Sequence, residues 1–219
     1  MELRIKEAAR YLGFGKQEID EKTKNMIEEC FVQLTDIAEA KCIYQKFALS
    51  QSEDGKLQFA GVGICSKDLG KNLKGCKEIL LFAATLGISV DRHMKKLEVL
   101  DMARAVVFQA CAAAYLEEYC DKKQQELEKH ALKTGEYLRP RFSPGYGDFS
   151  ILHQQDILQI LGAAKQIGLT MTDGYMLNPT KSITAVIGVS RTKDSCDHKG
   201  CMDCTKEDCL YRRSEGPCG

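Results

Sequence analysis

Charge of one sign is the first thing this sequence lacks: 31 lysines and arginines face 31 aspartates and glutamates across 219 residues. No global field would draw the chain onto nucleic acid or an acidic membrane surface, so partners have to be chosen by local sites. Long apolar runs are missing too. No segment is long enough without charges to span a bilayer, and the opening Met1-Glu2-Leu3-Arg4-Ile5-Lys6 lacks the continuous apolar stretch of a secretory leader. The expectation is a cytoplasmic chain with no membrane contact. Internal repeats are absent, and the length suits one large domain with at most a small appendage.

Cysteine is present in surplus, with 11 in the chain. Six of them, Cys30, Cys42, Cys65, Cys76, Cys111 and Cys120, are scattered through segments that read as ordinary helix and strand, which makes them buried thiols rather than a disulfide framework. The other five, Cys196, Cys201, Cys204, Cys209 and Cys218, crowd into the last residues.

Between Asp20 and Ala40 apolar residues recur at steps of three and four, the period of an amphipathic helix. The runs Cys42 to Leu49 and Lys56 to Ile64, joined through Asp54-Gly55, read as the two arms of a hairpin. Glu78 to Thr85 is almost continuously apolar, as expected of a central strand buried on both faces. From Val90 to Lys133 the composition is helical, with a break between Asp91 and Asp101 and a stop at Gly135. Pro140, Pro144, Gly145 and Gly147 exclude regular structure across Glu136 to Asp148. A second helix, capped by Asp148 or Ser150, then runs to Gly168, and Ser182 to Ser190 alternates as a strand. Helices and strands mix without regular alternation. The fold class is therefore α+β, a mixed or antiparallel sheet packed with long helices over residues 1–190, followed by a Cys-rich tail, 191–219.

The loop Arg139-Pro140-Arg141-Phe142-Ser143-Pro144-Gly145-Tyr146-Gly147-Asp148 has more chemistry in it than a connection needs. An arginine can fork onto a carboxylate, while proline and glycine bend the backbone so that its polar groups face a ligand that the tyrosine then covers. This suits a small zwitterion such as an amino acid. A well-packed connection would also accommodate a Pro-Gly pair flanked by aromatics, and spacing alone leaves both readings open.

The order arginine, two residues, Pro-Gly-Tyr, then a helix of about eighteen residues resembles the activation domain of cobalamin (vitamin B12)-dependent methionine synthase. After Gly168, the run Thr172-Asp173, Pro179 and Ser182 is similar to the second signature of that family. The resemblance implies an S-adenosylmethionine-binding domain that presents its methyl group to cob(II)alamin, with a reductant such as flavodoxin or ferredoxin supplying one electron. It further implies that Arg141 contacts the ligand carboxylate, that Pro144 and Gly145 line that end, that Tyr146 closes over it, and that Thr172, Asp173 and Ser182 belong to the site. The family also holds the ligand's amino group and ribose with upstream acids, for which Glu136 and Asp101 are the candidates here. One turn before Glu117-Glu118, where another such acid is expected, stand Ala113 and Ala114. None of the four histidines has the Asp-x-His-x-x-Gly setting of a cobalamin carrier, so cobalamin is expected on a separate cobalamin-binding methionine synthase. Two alternatives stay open: reactivation of another corrinoid methyltransferase, and a non-catalytic metal-binding interaction module.

In the tail, Cys196, Cys201, Cys204 and Cys209 are separated by four, two and four residues in a polar setting. Four thiolates can surround zinc or hold an iron-sulfur cluster, and spacing does not separate the two.

Overall fold

The computed structural model describes residues 1–14, 17–52 and 56–192. In chain order these form α1 (Glu2–Tyr11), α2 (Glu21–Ile37), β1 (Lys41–Ala48), β2 (Ser50–Gln51), β3 (Lys56–Phe59), β4 (Val62–Cys65), α3 (Lys67–Asn72) and β5 (Glu78–Thr85). There follow α4 (Ile88–Leu100), α5 (Met102–Lys133), β6 (Tyr137–Leu138), α6 (His153–Leu161), α7 (Ala163–Ile167), β7 (Thr170–Met171), β8 (Leu177–Asn178) and β9 (Ser182–Ser190).

The main sheet has the order β1-β5-β9-β6 and every pairing in it is antiparallel. β5 lies inside it, and its apolar run is explained by burial on both faces. Ile79, Leu81 and Ala83 join one core with Phe149, Ile157 and Leu161. Leu80, Phe82 and Ala84 join another, which Cys120 completes together with the partly buried Leu116 and Leu127. α5 thus covers one face of the sheet, and α3, α6 and α7 cover the other. A third core joins α1, α2, α4 and the first half of α5. There the buried Ala105, Ala112 and Ala114 let the helices approach closely. The architecture is α+β, as the mixed pattern requires.

Asp20 starts α2 by accepting the Thr23 amide at 2.7 Å, and Asp101 separates α4 from α5 by accepting the Arg104 amide at 3.0 Å. Other expectations need correction. The long arm Cys42 to Leu49 does not pair with Lys56 to Ile64; as part of β1 it pairs along its length with β5. β3 turns instead onto β4 through Ala60 and Gly61, both at positive φ (48° and 81°), and meets β2 at only two positions. The expected single helix after the loop is interrupted at Gly162, whose φ of 58° separates α6 from α7. Cys65 is exposed and Cys42 half-buried, so the buried-thiol reading holds for Cys30, Cys76, Cys111 and Cys120.

Candidate functional site

Residues 137–142 line the free edge of β9, so the loop expected to be irregular is partly sheet. Leu138 is opposite Val189 and Phe142 is opposite Val186, so four steps on one side match three on the other. The extra residue is a β-bulge, and Pro140 sits in it, where a missing N–H is tolerated. Because side chains alternate across a sheet, one extra residue reverses the facing. Leu138 therefore packs on the α5 side and Phe142 on the opposite side, near Phe149 with ring centroids 6.2 Å apart.

Arg141, next to this step, reaches α5. Its Nη2 lies 2.5 Å from Asp121 Oδ1 and 3.5 Å from Glu117 Oε2, and its Nη1 donates to Gln124 Oε1 at 2.9 Å. Residues 117, 121 and 124 are spaced by four and three, so they form one stripe of the helix. The Arg141 side chain is only 14% exposed. Burial works against its charge, but the bond to Asp121 and the nearby carboxylates outweigh this and raise its pKa above the ordinary value. Burial also pushes the Cys120 thiol beneath it up to about 12, which keeps that group neutral and unreactive. Glu118 turns away to Arg4 (2.6 Å) and Lys122 (2.5 Å). Glu117, Asp121 and Gln124 were not chosen from sequence as partners of Arg141. Their helical stripe was a readable signal, but which loop it faces depends on the bulge.

The next segment is a closed turn. Gly145 donates to the Phe149 carbonyl (2.8 Å), Tyr146 to Ser143 (3.2 Å) and Phe149 to Tyr146 (3.0 Å). Gly145 at φ 94° and Gly147 at φ 53° permit this path. Pro144 and Phe149 are buried, whereas Tyr146 is 68% exposed at the rim. Asp148 does not cap the following helix. It accepts from Ser66 Oγ, the Lys67 amide and the Asp68 amide at 2.5, 2.7 and 3.1 Å, at the start of α3.

The second signature is the β7–β8 hairpin and the strand after it. Thr172 closes the hairpin: its amide donates to Met176 O at 2.9 Å and its Oγ1 accepts the Met176 amide at 3.2 Å. Asp173 is exposed at the tip. Gln154, in the first turn of α6, donates to the Tyr175 carbonyl at 2.9 Å, while Phe149 stacks on His153 one residue earlier. The N-terminal turn of α6 thereby brings the Pro-Gly-Tyr loop and the 172–175 turn together. Ser182 serves another purpose. Its hydroxyl donates to Pro179 O (2.6 Å) and lies 2.8 Å from Thr85 Oγ1, fastening the start of β9 to the end of β5. That is about 13 Å along the strand from Val186, where the Arg141 segment docks.

Two acids stand apart from Arg141. Asp101 is the cap of α5, and Asp121 lies twenty residues further along that helix, about 30 Å away. Glu136 is bound by Lys46 (2.9 and 3.0 Å), Thr134 Oγ1 (3.3 Å) and Arg191 (3.4 Å), and the Lys46 bond holds its pKa below the ordinary value. It lines a separate cleft of about 320 Å³, between the sheet and the last turns of α5, with Tyr44, His130 and Leu138. This geometry brings neither Glu136 nor Asp101 beside Arg141.

Cys196, Cys201, Cys204 and Cys209 lie outside the described residues. Among the described residues no group of three or more His, Cys, Asp or Glu is placed to hold a metal ion, and no helix is long and apolar enough to cross a membrane.

Residues 34–197 match the family described as vitamin B12 dependent methionine synthase, activation domain. A solved structure, the crystal structure of the MetH reactivation domain bound to AdoHcy, superposes with a TM-score of 0.63 at 14% identity, over 88% of this chain and 75% of that one. At that identity the superposition speaks for the fold. No protein with a curated description matches the sequence significantly.

Proposed function

Because the chain belongs to the activation-domain family of vitamin B12-dependent methionine synthase, we propose that it binds S-adenosylmethionine beside Arg141 and supports reductive methylation of cob(II)alamin held by a cobalamin-binding methionine synthase. The single observation carrying this reading is the buried guanidinium of Arg141, aimed by a bulge to one end of the loop whose other end is the exposed Tyr146. A guanidinium held at a fixed angle is prepared for a carboxylate, and Asp121 already occupies it as one. The related reactivation domain was crystallised with AdoHcy, the demethylated form of the same ligand.

When S-adenosylmethionine and cobalamin are present, the chemistry is one-electron reduction of cob(II)alamin by a reductant such as flavodoxin or ferredoxin. S-adenosylmethionine would supply the sulfonium methyl and the reduced cobalt of the partner would receive it, with S-adenosylhomocysteine as the leaving group. The residues of this chain have a positioning task. Arg141 fixes the carboxylate end, the turn 143–149 supplies backbone to the same end, and Tyr146 stands where it can cover the ligand. Holding a donor methyl in line with its acceptor accounts for much of such a rate. Calorimetry with S-adenosylmethionine, followed by mixing with cob(II)alamin-loaded synthase and a one-electron reductant, tests the reading. Saturable binding and the methylcobalamin absorbance spectrum are expected. A chain that binds no S-adenosylmethionine would sink it.

The four tail cysteines extend the proposal. We infer a tetrathiolate metal site at Cys196, Cys201, Cys204 and Cys209, supported by their count and spacing. Protein purified without oxygen should carry about one zinc per chain, or iron with acid-labile sulfide, and Cys201→Ser should release it. Metal analysis that finds neither, also after anaerobic reconstitution, would remove the site.

A further inference from the structure

We propose that Asp148 is a positioning residue, which clamps the Pro144-Gly145-Tyr146 turn to the start of α3 and so holds it in the shape that takes the ligand. The inference rests on the S-adenosylmethionine reading above and adds to it a residue that the two sequence signatures do not contain.

The turn closes on itself through bonds between residues 143 and 149, but these set its internal shape and not its place on the fold. Its place is set from two sides. Below, Phe149 is 1% exposed within the core that also holds Leu69 and Leu73 of the α3 segment. At the side, both Asp148 oxygens are used: Oδ1 accepts the Ser66 hydroxyl (2.5 Å) and the Asp68 amide (3.1 Å), and Oδ2 accepts the Lys67 amide (2.7 Å). These are charge-assisted bonds to three consecutive residues across about eighty positions of sequence. The backbone meanwhile passes so close to α3 that a Cβ at Gly147 would stand 2.5 Å from Asp68 Oδ2. Glycine suits 147 mainly through its φ of 53°, a left-handed conformation that strains any other residue, while the Asp68 carboxylate would have to turn aside for a Cβ.

Because its bonds are all to α3, Asp148 has no task at the ligand itself and acts through the turn. It is exposed at the surface, so its loss opens no hole in the core. Stability and ligand affinity should therefore separate. A turn that wanders by an ångström loses much of the benefit of a preformed site.

The experiment is calorimetric titration with S-adenosylmethionine on the full chain, with thermal unfolding and amide hydrogen exchange measured alongside. Asp148→Ala is expected to bind about 10-fold or more weakly, with Asp148→Asn intermediate because one acceptor oxygen remains. Melting temperature should stay within about 3 °C of the parent, since a surface cap contributes little. Exchange at the Gly145 and Phe149 amides should quicken while the β5 amides stay protected, a change that a general loss of stability would not confine to the turn. Gly147→Ala, which strains the left-handed backbone of the turn and crowds Asp68 while leaving the Asp148 carboxylate in place, should weaken binding in the same direction. Parent-like affinity in Asp148→Ala would overturn the clamp. Should that variant fail to fold, parent-like affinity in Asp148→Asn and Gly147→Ala would overturn it equally. A parent chain that binds no ligand would instead defeat the functional reading, whereas binding by the parent with no difference among variants defeats the clamp alone.

Discussion

Arg141→Ala is expected to weaken S-adenosylmethionine binding by about 100-fold, or roughly 2.7 kcal/mol, the range found when one partner of a desolvated charge pair is truncated. The loss combines two effects. The ligand carboxylate would have no fork to meet, and Asp121 and Glu117, now 2.5 and 3.5 Å from the guanidinium, would turn the same place anionic. Arg141→Lys should recover only part of the affinity, because an ammonium keeps the charge but cannot bond a carboxylate with two parallel donors while also meeting Gln124. Water can take over the solvation of Asp121 and Glu117, which are 51% and 34% exposed, but Arg141→Ala should also cost about 1–2 kcal/mol of stability, because Gln124, 5% exposed, loses the donor to its Oε1. Calorimetry beside a thermal melt separates these quantities. Equal binding by parent and alanine variant would mean that the ligand carboxylate is held elsewhere, and the site would have to be moved.

The largest loss of stability is expected at Gly188 of β9. A Cβ there would lie 2.7 Å from Cys76 Sγ, 2.8 Å from Leu73 Cδ2 and 2.9 Å from Arg139 Cγ, three side chains that are themselves buried. Nothing on that side has room to give, so Gly188→Ala should cost about 2–3 kcal/mol, as overpacking of a filled interior does. In a chain of this size that lowers the melting temperature by about 5–10 °C. The double variant Gly188→Ala with Cys76→Ala should recover part of the loss, because it removes the nearest of the three atoms; additive melting shifts would show that Cys76 is not the obstacle. The Gly188 carbonyl also accepts the Arg139 amide at 2.8 Å, so the same substitution should disturb the bulged edge that leads to Arg141.

What could be read from the sequence was whatever is decided locally or by burial alone. β5 and β9 announced themselves through their apolar residues, continuous in β5 and alternating in β9, although β9 too is buried on both faces, with Ala185, Ile187 and Val189 in one core and Val186 in the other. The division of α4 from α5 was visible because Asp101 is a cap whose partner lies three residues on. The strand pairing was less accessible. β1 prefers β5 for reasons of shared core rather than proximity, and the turn at Ala60-Gly61 uses an alanine at positive φ where a reader looks for asparagine or aspartate. Site residues divided in the same way. Arg141 and the Pro-Gly-Tyr turn could be picked out as candidates from their order, whereas the contact of Arg141 with Asp121 and Gln124 depends on which face of a 32-residue helix meets the loop. Of the two caps read for the helix after the loop, Ser150 accepts the Leu152 amide at 3.3 Å, whereas Asp148 goes to a second helix start that only the fold brings close enough to compete.

The bulge between Leu138 and Phe142 makes the aim of Arg141 a matter of parity rather than of identity. Most substitutions in this stretch would leave the residue count intact, and with it the side of the sheet each residue serves. A single insertion or deletion there would exchange the two sides and turn the guanidinium from α5 toward the opposite core. A gap placed within these five positions when two such chains are compared thus carries more structural meaning than several mismatches. In this respect the site behaves like a word whose sense depends on the number of its letters.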